Sequence, residues 1–484
     1  MSAADLLDLD AVALARALRF RKVSCVELMS ATLDRIAALN PTFNAIIALR
    51  DPEALIAEAR KRDGEPAQGP LHGLPIAVKD LAAVKGLPMT MGSPILEDFV
   101  ADADSIFVER LRAAGALIIG KTNTPEFGLG SQTYNPVHGP TRNAYDPALT
   151  AGGSSGGAAV ALALRMLPIA DGSDYGGSLR NPAGWNNVYG FRPSIGRVPN
   201  DGRDVWLPSM GVNGPMARNP ADLALMLSVM AGYDPREPLS FGDGNAFAAA
   251  LESDVRGLRV AWLGDWDGAL PCEAGVLDVC EEGLKTFEAI GCVVERAAPD
   301  FSLDALWRAW VTLRHWQVAS ALAPIADTPA RRALLKPEAA WEANEGAKLR
   351  ASDISAASAV RTRWHHALLA FFARYDFLVL PTAQVFPFPV EIHWPAEIAG
   401  RRMETYHEWM KCVVPATMAG GPALAAPAGF NEKELPIGVQ IIGRNRDELG
   451  CLRLAWAYDK ASGWTEKRRP GALAELQAKA ASTL

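Results

Sequence analysis

An α/β fold, with a mixed and largely parallel central sheet covered by helices on both faces, is what this 484-residue chain predicts. Three observations carry that prediction. Short apolar runs rich in β-branched residues alternate with helical segments of roughly 10–15 residues, the pattern of strands joined by helical crossovers. Hydrophobic residues make up 49% and charged residues 21%, which suits a globular chain with ample core and excludes a disordered one. No repeat of fixed period and no compositional break marks a linker, so one unit over 1–484 is expected.

Taken in order, apolar residues at three and four spacing predict helices over 12–20 and 25–39, with Pro41 stopping the second. A Pro/Gly-rich link over 65–73 leads into an apolar run at 74–80 suited to a strand. Residues 105–114 read as a helix ended by Gly115, and 116–119 as a buried strand. Further helices are expected at 158–166, 222–231, 276–290, 303–322, 356–375 and 448–460. Strands are expected at 167–170, 258–263, 292–295, 377–380 and 437–442.

Charge and cysteine usage narrow the function classes. Lys plus Arg is 48 against 55 for Asp plus Glu, a net charge of −7 and the wrong sign for binding by phosphate neutralisation, so no nucleic-acid partner is expected. The six cysteines form no C-x-x-C pair, which leaves zinc ribbons and thioredoxin chemistry unsupported and suits reduced thiols in a cytoplasm. The N-terminus is acidic, unlike a secretory signal, and no apolar stretch reaches the ~18 residues of a membrane span. A cytoplasmic protein without membrane association is expected.

The chemistry-bearing residues begin at Gly152-Gly153-Ser154-Ser155-Gly156-Gly157. A flexible linker would not lead straight into the apolar helix that follows. A phosphate loop would need Lys-Ser/Thr after the glycines. A serine on a glycine-rich turn at a helix start remains, where positive φ, unpaired N–H groups and a partial positive charge come together. The stretch also fits the G-x-S-x-G elbow of α/β-hydrolases, but residues 143–150 read as loop rather than the strand that elbow requires. None of the downstream histidines His315, His365, His366, His393 and His407 sits in a telling context. A second serine, Ser178, follows two glycines in DGSDYGGSLRNPA over 171–183. A lysine, Lys79, ends the apolar run GLPIAVKD over 73–80.

Together the three segments resemble the amidase signature hydrolases. The glycine/serine stretch, a G-G-S-[IL]-R-x-P-A segment at 176–183 and a G-x-P-x-x-x-K-D segment at 73–80 match in order and spacing. Further likenesses are GKTNTPE at 120–126, YGFRPS at 189–194 and GPMAR at 214–218. The match is dense over about 70–235, the expected catalytic core, and weaker at 380–382 and 420–443. The resemblance implies the amidase-signature fold, with Ser178 as nucleophile, Ser154 as bridging serine after a cis Gly153–Ser154 peptide, and Lys79 as base. It implies an oxyanion hole from the N–H groups of Tyr175, Gly176, Gly177 and Ser178, braced by Asp174 and Arg180, with no metal and no cofactor. Tyr175 stands where a smaller residue is expected, and Trp185-Asn186-Asn187 replaces the usual small residues after Pro-Ala.

The residue types suit this chemistry. A serine is a weak nucleophile until a neighbour takes its proton. A lysine does so only when neutral, which at pH 7 costs about 4–5 kcal/mol from its ordinary pKa, so burial beside Ile76 and Val78 must lower that pKa. For substrate, the expected selectors are 127–134 (Phe127, Gly128, Gln132, Tyr134), 205–212 and 384–409 (Phe386, Trp394, Trp409). The last is read as an aromatic lid within a more variable region, 300–410. An apolar pocket suits bulky aryl or alkyl amides. Esters share the carbonyl geometry, and a carbamate or urethane hydrolase with the same triad is the alternative. The amidase subunit of a tRNA-dependent amidotransferase fits less well, for want of a basic docking face, and a scaffold without turnover is disfavoured by the three intact side chains. A homodimer is a family-level expectation.

Overall fold

The computed structural model describes residues 3–200, 202, 204–207, 210–248 and 250–482. Its strands fall into two sheets and a ribbon. In the smaller sheet, β1 (Ile46–Ile47), β2 (Pro75–Lys79) and β3 (Leu117–Thr122) lie in the order β1-β3-β2, with β3 antiparallel to β1 and parallel to β2. The larger sheet takes β4 (Ile169–Asp174), β5 (Tyr189–Arg192), β6 (Val212–Ala217), β7 (Arg259–Trp262), β8 (Val293–Arg296) and β9 (Phe377–Pro381). After the ribbon β10 (Glu397–Ile398) and β11 (Arg401–Arg402) come its last members, β12 (Ala423–Phe430) and β13 (Pro436–Ile442). The order is β4-β6-β5-β12-β13-β9-β7-β8.

The sheet is mixed and flanked by helices, as expected, but it is not largely parallel. Five of its seven pairings are antiparallel, and only β7 with β8 and β7 with β9 run parallel. The reason lies in the three strands that periodicity passes over: β5, β6 and β12. They read YGFR, VNGPMA and ALAAPAGF, rich in glycine, alanine and proline where strand propensity looks for β-branched residues. Nearly all their residues are buried, so small side chains serve close packing on both faces.

Most helices fall within a few residues of their expected spans. The second does not stop at Pro41. It runs Cys25–Phe43 with that proline in its last turn, and ends on Asn44 at φ 50°, whose N–H donates to Asn40 O at 2.7 Å. At its start Ser24 and Glu27 form a capping box. Among the unexpected helices, Pro52–Asp63 and Pro337–Gly346 begin with proline at the first turn. Among the described residues no helix is long and apolar enough to cross a membrane.

One contiguous core runs from Leu6 to Leu473. At its centre lies the helix Gly156–Ala163, every residue buried. It packs so closely on the smaller sheet that a Cβ at Gly157 would sit 2.4 Å from Asn123 N and 2.5 Å from Ala45 O, both backbone atoms. Gly157→Ala should therefore force those segments apart and cost about 1–3 kcal/mol. Chemical denaturation of the variant checks this, and a midpoint equal to that of the wild type would contradict the close approach.

Candidate active site

The two sheets meet at the three predicted catalytic positions. Lys79 is the last residue of β2, Ser178 follows the end of β4, and Ser154 precedes the buried helix. Asp171 on β4 ties the sheets together by accepting the Lys79 backbone N–H at 3.1 and 3.3 Å.

Lys79 is 1% exposed. Its Nζ lies among hydroxyls, within hydrogen-bonding distance of Ser154 Oγ at 2.7 Å, Ser155 Oγ at 2.9 Å and Ser173 Oγ at 3.0 Å. Burial lowers its pKa from 10.5 to about 7, against the opposing charges of Asp171 and Asp174. Neither carboxylate forms an ion pair with Nζ. Asp171 is occupied by the backbone N–H and is itself raised by burial to about 6. Asp174 is held by two arginines. The Gly153–Ser154 peptide is cis. Among the described residues no hydrogen bond joins the Ser154 and Ser178 side chains. The nucleophile turn is tied back to the serine loop by Ser155 N–H donating to Ser178 O at 3.2 Å.

The turn itself is built on Asp174 and Arg180. Asp174 accepts Leu179 N–H at 3.1 Å and a bidentate pair from Arg180, at 3.0 Å from Nε and 2.9 Å from Nη2, with Arg192 Nη1 at 3.3 Å. Burial would raise this carboxyl, but the two guanidiniums outweigh it and hold it well below the usual carboxylate range. Arg180 also donates to Val413 O, Gln440 Oε1 and Thr417 Oγ1 at 2.9, 2.6 and 3.0 Å. The C-terminal third of the chain thus anchors the turn. Gly177 sits at φ 87°, a conformation that favours glycine, and its N–H donates to Asp174 Oδ1 at 3.1 Å. That bond removes Gly177 from the expected oxyanion donors. The N–H groups of Tyr175, Gly176 and Ser178 have no acceptor among the described residues.

The expected pocket residues divide. Gly128 faces the serines: a Cβ there would meet Ser154 Oγ at 3.5 Å. The backbone of Ser131 and Gln132 presses on Gly153, while the Gln132 side chain turns away to donate to Val390 O at 2.7 Å. Phe127 packs in a small apolar cluster with Leu129 and Leu322. Tyr134 stacks on His393 at 4.4 Å. Trp394 is half-buried against the main core. Phe386 and Trp409 are buried. Trp409 is 1% exposed, stacked on Trp185 at 5.7 Å with its indole N–H on Tyr406 O, and Phe386 is buried beside Gly275. Both ends of 384–409 are therefore core rather than lid, because large aromatics in a proline-broken stretch find burial without periodicity. Of 205–212, Pro208 and Ser209 lie outside the described residues.

Sequence reading missed Ser155 and Ser173 as neighbours of the lysine, although both stand inside the quoted motifs. It also missed Trp310 and Met410, which approach Gly176 to 3.3 and 3.9 Å from a Cβ position and form a wall with Tyr175, 6.3 Å from Trp310. Nothing local in the sequence marks that pair, more than 130 residues downstream of the turn.

The structure thus brings one buried lysine and three serine hydroxyls together beside the turn that carries Ser178. Residues 27–452 match the Amidase family, and the chain belongs to it. Over 469 residues it is 34% identical to an acylamidase of Rhodococcus erythropolis, covering 95% of this chain and 97% of that one. A Glutamyl-tRNA(Gln) amidotransferase subunit of Thermus thermophilus is 36% identical over 472 residues, 93% and 96% of the two chains. The crystal structure of a bacterial aryl acylamidase of the amidase signature enzymes superposes with a TM-score of 0.88 at 29% identity, over 95% of this chain and 97% of that one. The protein is an amide-hydrolysing enzyme of this family.

The buried charges of the site set its response to pH and to substitution. Burial lowers the Lys79 pKa to about 7 in the folded state, whereas in the unfolded chain it stands at 10.5. The unfolded chain therefore binds more protons between these values, and stability rises with pH across that window. Lys79→Met should melt above the wild type below pH 7, the margin narrowing as pH rises toward 10.5. Asp174→Asn leaves two buried guanidiniums without their carboxylate and should cost about 3–5 kcal/mol, read by denaturant titration.

Proposed function

We propose that the protein hydrolyses bulky aryl or alkyl amides through a Ser178–Ser154–Lys79 triad and an acyl-enzyme. The observation that carries this reading is the desolvated lysine nitrogen 2.7 Å from Ser154 Oγ with no carboxylate partner. A neutral amine has two N–H groups and one lone pair. It donates to Ser155 and Ser173 and accepts the Ser154 proton, while Ser154 accepts that of Ser178. Serine hydrogen bonds of this kind are often long before substrate arrives and tighten in the Michaelis complex.

Ser178 Oγ attacks the carbonyl carbon, and the resulting oxyanion meets the N–H groups of Tyr175, Gly176 and Ser178. Losing one such donor typically costs roughly 2.7–4 kcal/mol in hydrolases. The C–N bond breaks as the proton returns through Ser154 to the leaving nitrogen. Water then adds to the acyl-enzyme, giving its proton back along the same route and releasing a carboxylic acid. No metal takes part. The aromatic wall of Tyr175, Trp310 and Met410 favours aryl and alkyl substrates over a small polar glutamine amide, in line with the acylamidase and aryl acylamidase relatives. A carbamate presents the same carbonyl, so urethane hydrolysis is an arm of the test.

Lys79→Ala and Ser178→Ala should each abolish most turnover while the fold persists, with Ser154→Ala severely but less completely damaged. A panel of p-nitroanilides, aryl esters and aryl carbamates of graded size reads both activity and preference, and a fluorophosphonate should label Ser178. Near-wild-type kcat in Ser178→Ala would falsify the triad. Because the neutral amine is the active form, kcat/KM should rise with pH through an inflection near 7 and then level off. A profile falling through that pH would assign the lysine another role.

A further inference from the structure

The loop that backs the serines continues to a second polar centre. Two residues after Gly128, a Cβ at Gly130 would sit 4.0 Å from Lys336 Nζ. Those two residues span at most about 7 Å of chain. Lys336 donates to Leu129 O at 2.6 Å and its Nζ lies 5.1 Å from the centroid of the Tyr134 ring. Burial lowers its pKa to about 8, and the residue as a whole is half-buried. No ion pair holds it among the described residues, and an amine spending one N–H on Leu129 has others to give.

Glu338, two residues on, accepts the Tyr134 hydroxyl through Oε1 at 3.3 Å, while its Oε2 is buried with no partner among the described residues. A buried carboxylate oxygen without a donor is costly. Both residues are fixed in place. Lys336 N–H donates to Glu126 Oε2 at 2.8 Å, and the helix Pro337–Gly346 that follows rests Ala339 and Ala343 on Leu129 and Phe127. An underused donor and an orphan acceptor therefore face one loop, on the same stretch that lines the triad.

We propose that Lys336 and Glu338 are specificity-determining residues that bind a second carbonyl–N–H unit of the substrate, Lys336 donating to its oxygen and Glu338 Oε2 accepting its N–H. A free carboxylate on the substrate fits less well, because Glu126 and Glu338 both stand close to the lysine and repel it. A unit that is neutral and carries both a donor and an acceptor satisfies the two groups at once. This rests on the triad reading, since it places the scissile group at Ser178 and the second one a spacer of several atoms away. The substrate class it names is the compound with two or more amide-type linkages in sequence.

The test uses three p-nitroanilides of equal length whose distal group is an amide, an ester lacking the N–H, or a hydrocarbon. In the wild type kcat/KM should fall in that order, by roughly tenfold or more from amide to hydrocarbon and mainly through KM. Lys336→Met should bring the amide and ester arms down toward the hydrocarbon, with Lys336→Arg keeping part of the gain. Glu338→Ala should erase only the difference between amide and ester. Equal kcat/KM for amide and hydrocarbon in the wild type overturns the proposal whatever the variants do, as does an unchanged amide-to-hydrocarbon ratio in Lys336→Met. Failure of the triad reading shows differently, as turnover of all three arms by Ser178→Ala.

Discussion

The site depends on burying one amine without giving it a counter-charge. Two carboxylates lie close enough to Lys79 to raise its pKa, yet each is engaged elsewhere: Asp171 by the lysine's own backbone N–H, Asp174 by Arg180 and Arg192. Either, if free to pair with Nζ, would stabilise the ammonium over the neutral amine. What remains around the nitrogen is three hydroxyls, which hydrogen-bond an amine without demanding that it be charged. The same economy appears beneath the site. Lys121 is buried with its Nζ 3.7 Å from Asp80, whose other oxygen takes the Thr90 hydroxyl. Those two buried charges thereby face each other rather than Lys79.

That constraint explains why the site sits between sheets. A lysine at the end of a strand normally reaches water. Here β2 belongs to a small sheet whose end is closed off by β4 of the large one, so the side chain emerges into protein. The nucleophile turn leaves β4 at this junction and must be held rigid against two directions of pull. Asp174 fixes it from inside. Arg180, through Val413, Thr417 and Gln440, fixes it to segments more than 230 residues downstream. A core spanning the whole chain is thus a requirement of the geometry, because the dense motif region at 70–235 lacks the partners that orient its own arginine.

The motif-bearing residues were legible in the sequence because their chemistry is local: glycine for a turn and a close approach, serine pairs, and a lysine ending an apolar strand. The strands Phe377–Pro381 and Pro436–Ile442 were legible for a related reason, since apolar runs of Leu, Val and Ile announce themselves. The antiparallel majority of the large sheet was not, because β5, β6 and β12 are built from small residues whose burial on both faces leaves no alternation to read. Phe386 and Trp409 misled in the opposite sense. Aromatic density in a proline-broken stretch looks like an exposed lid, but Trp409 stacks on Trp185 within the core. Gly177 carried a role that sequence cannot separate from its neighbours', because which N–H of a turn faces Asp174 is settled only by the backbone angles.

The wall of Tyr175, Trp310 and Met410 is assembled differently from the cluster around Lys79. Trp310 comes from the helix Leu303–Leu322 and Met410 from the turn Glu408–Val413, and both press on Gly176, a residue with no side chain to hold them off. Behind them a buried network ties the wall together, with Glu342 accepting from Arg314 at 2.6 Å and the Tyr406 hydroxyl donating to the same carboxylate at 2.5 Å. Arg314 also lies 5.3 Å from the Tyr175 ring. The helix Leu303–Leu322 and the turn Glu408–Val413 are therefore in contact with the turn that carries Ser178. Under the proposed triad, changes in those elements would reach the Gly176 backbone through an indole and a thioether rather than through the lysine. Tyr175, unusual for its position, is the point at which the two systems meet.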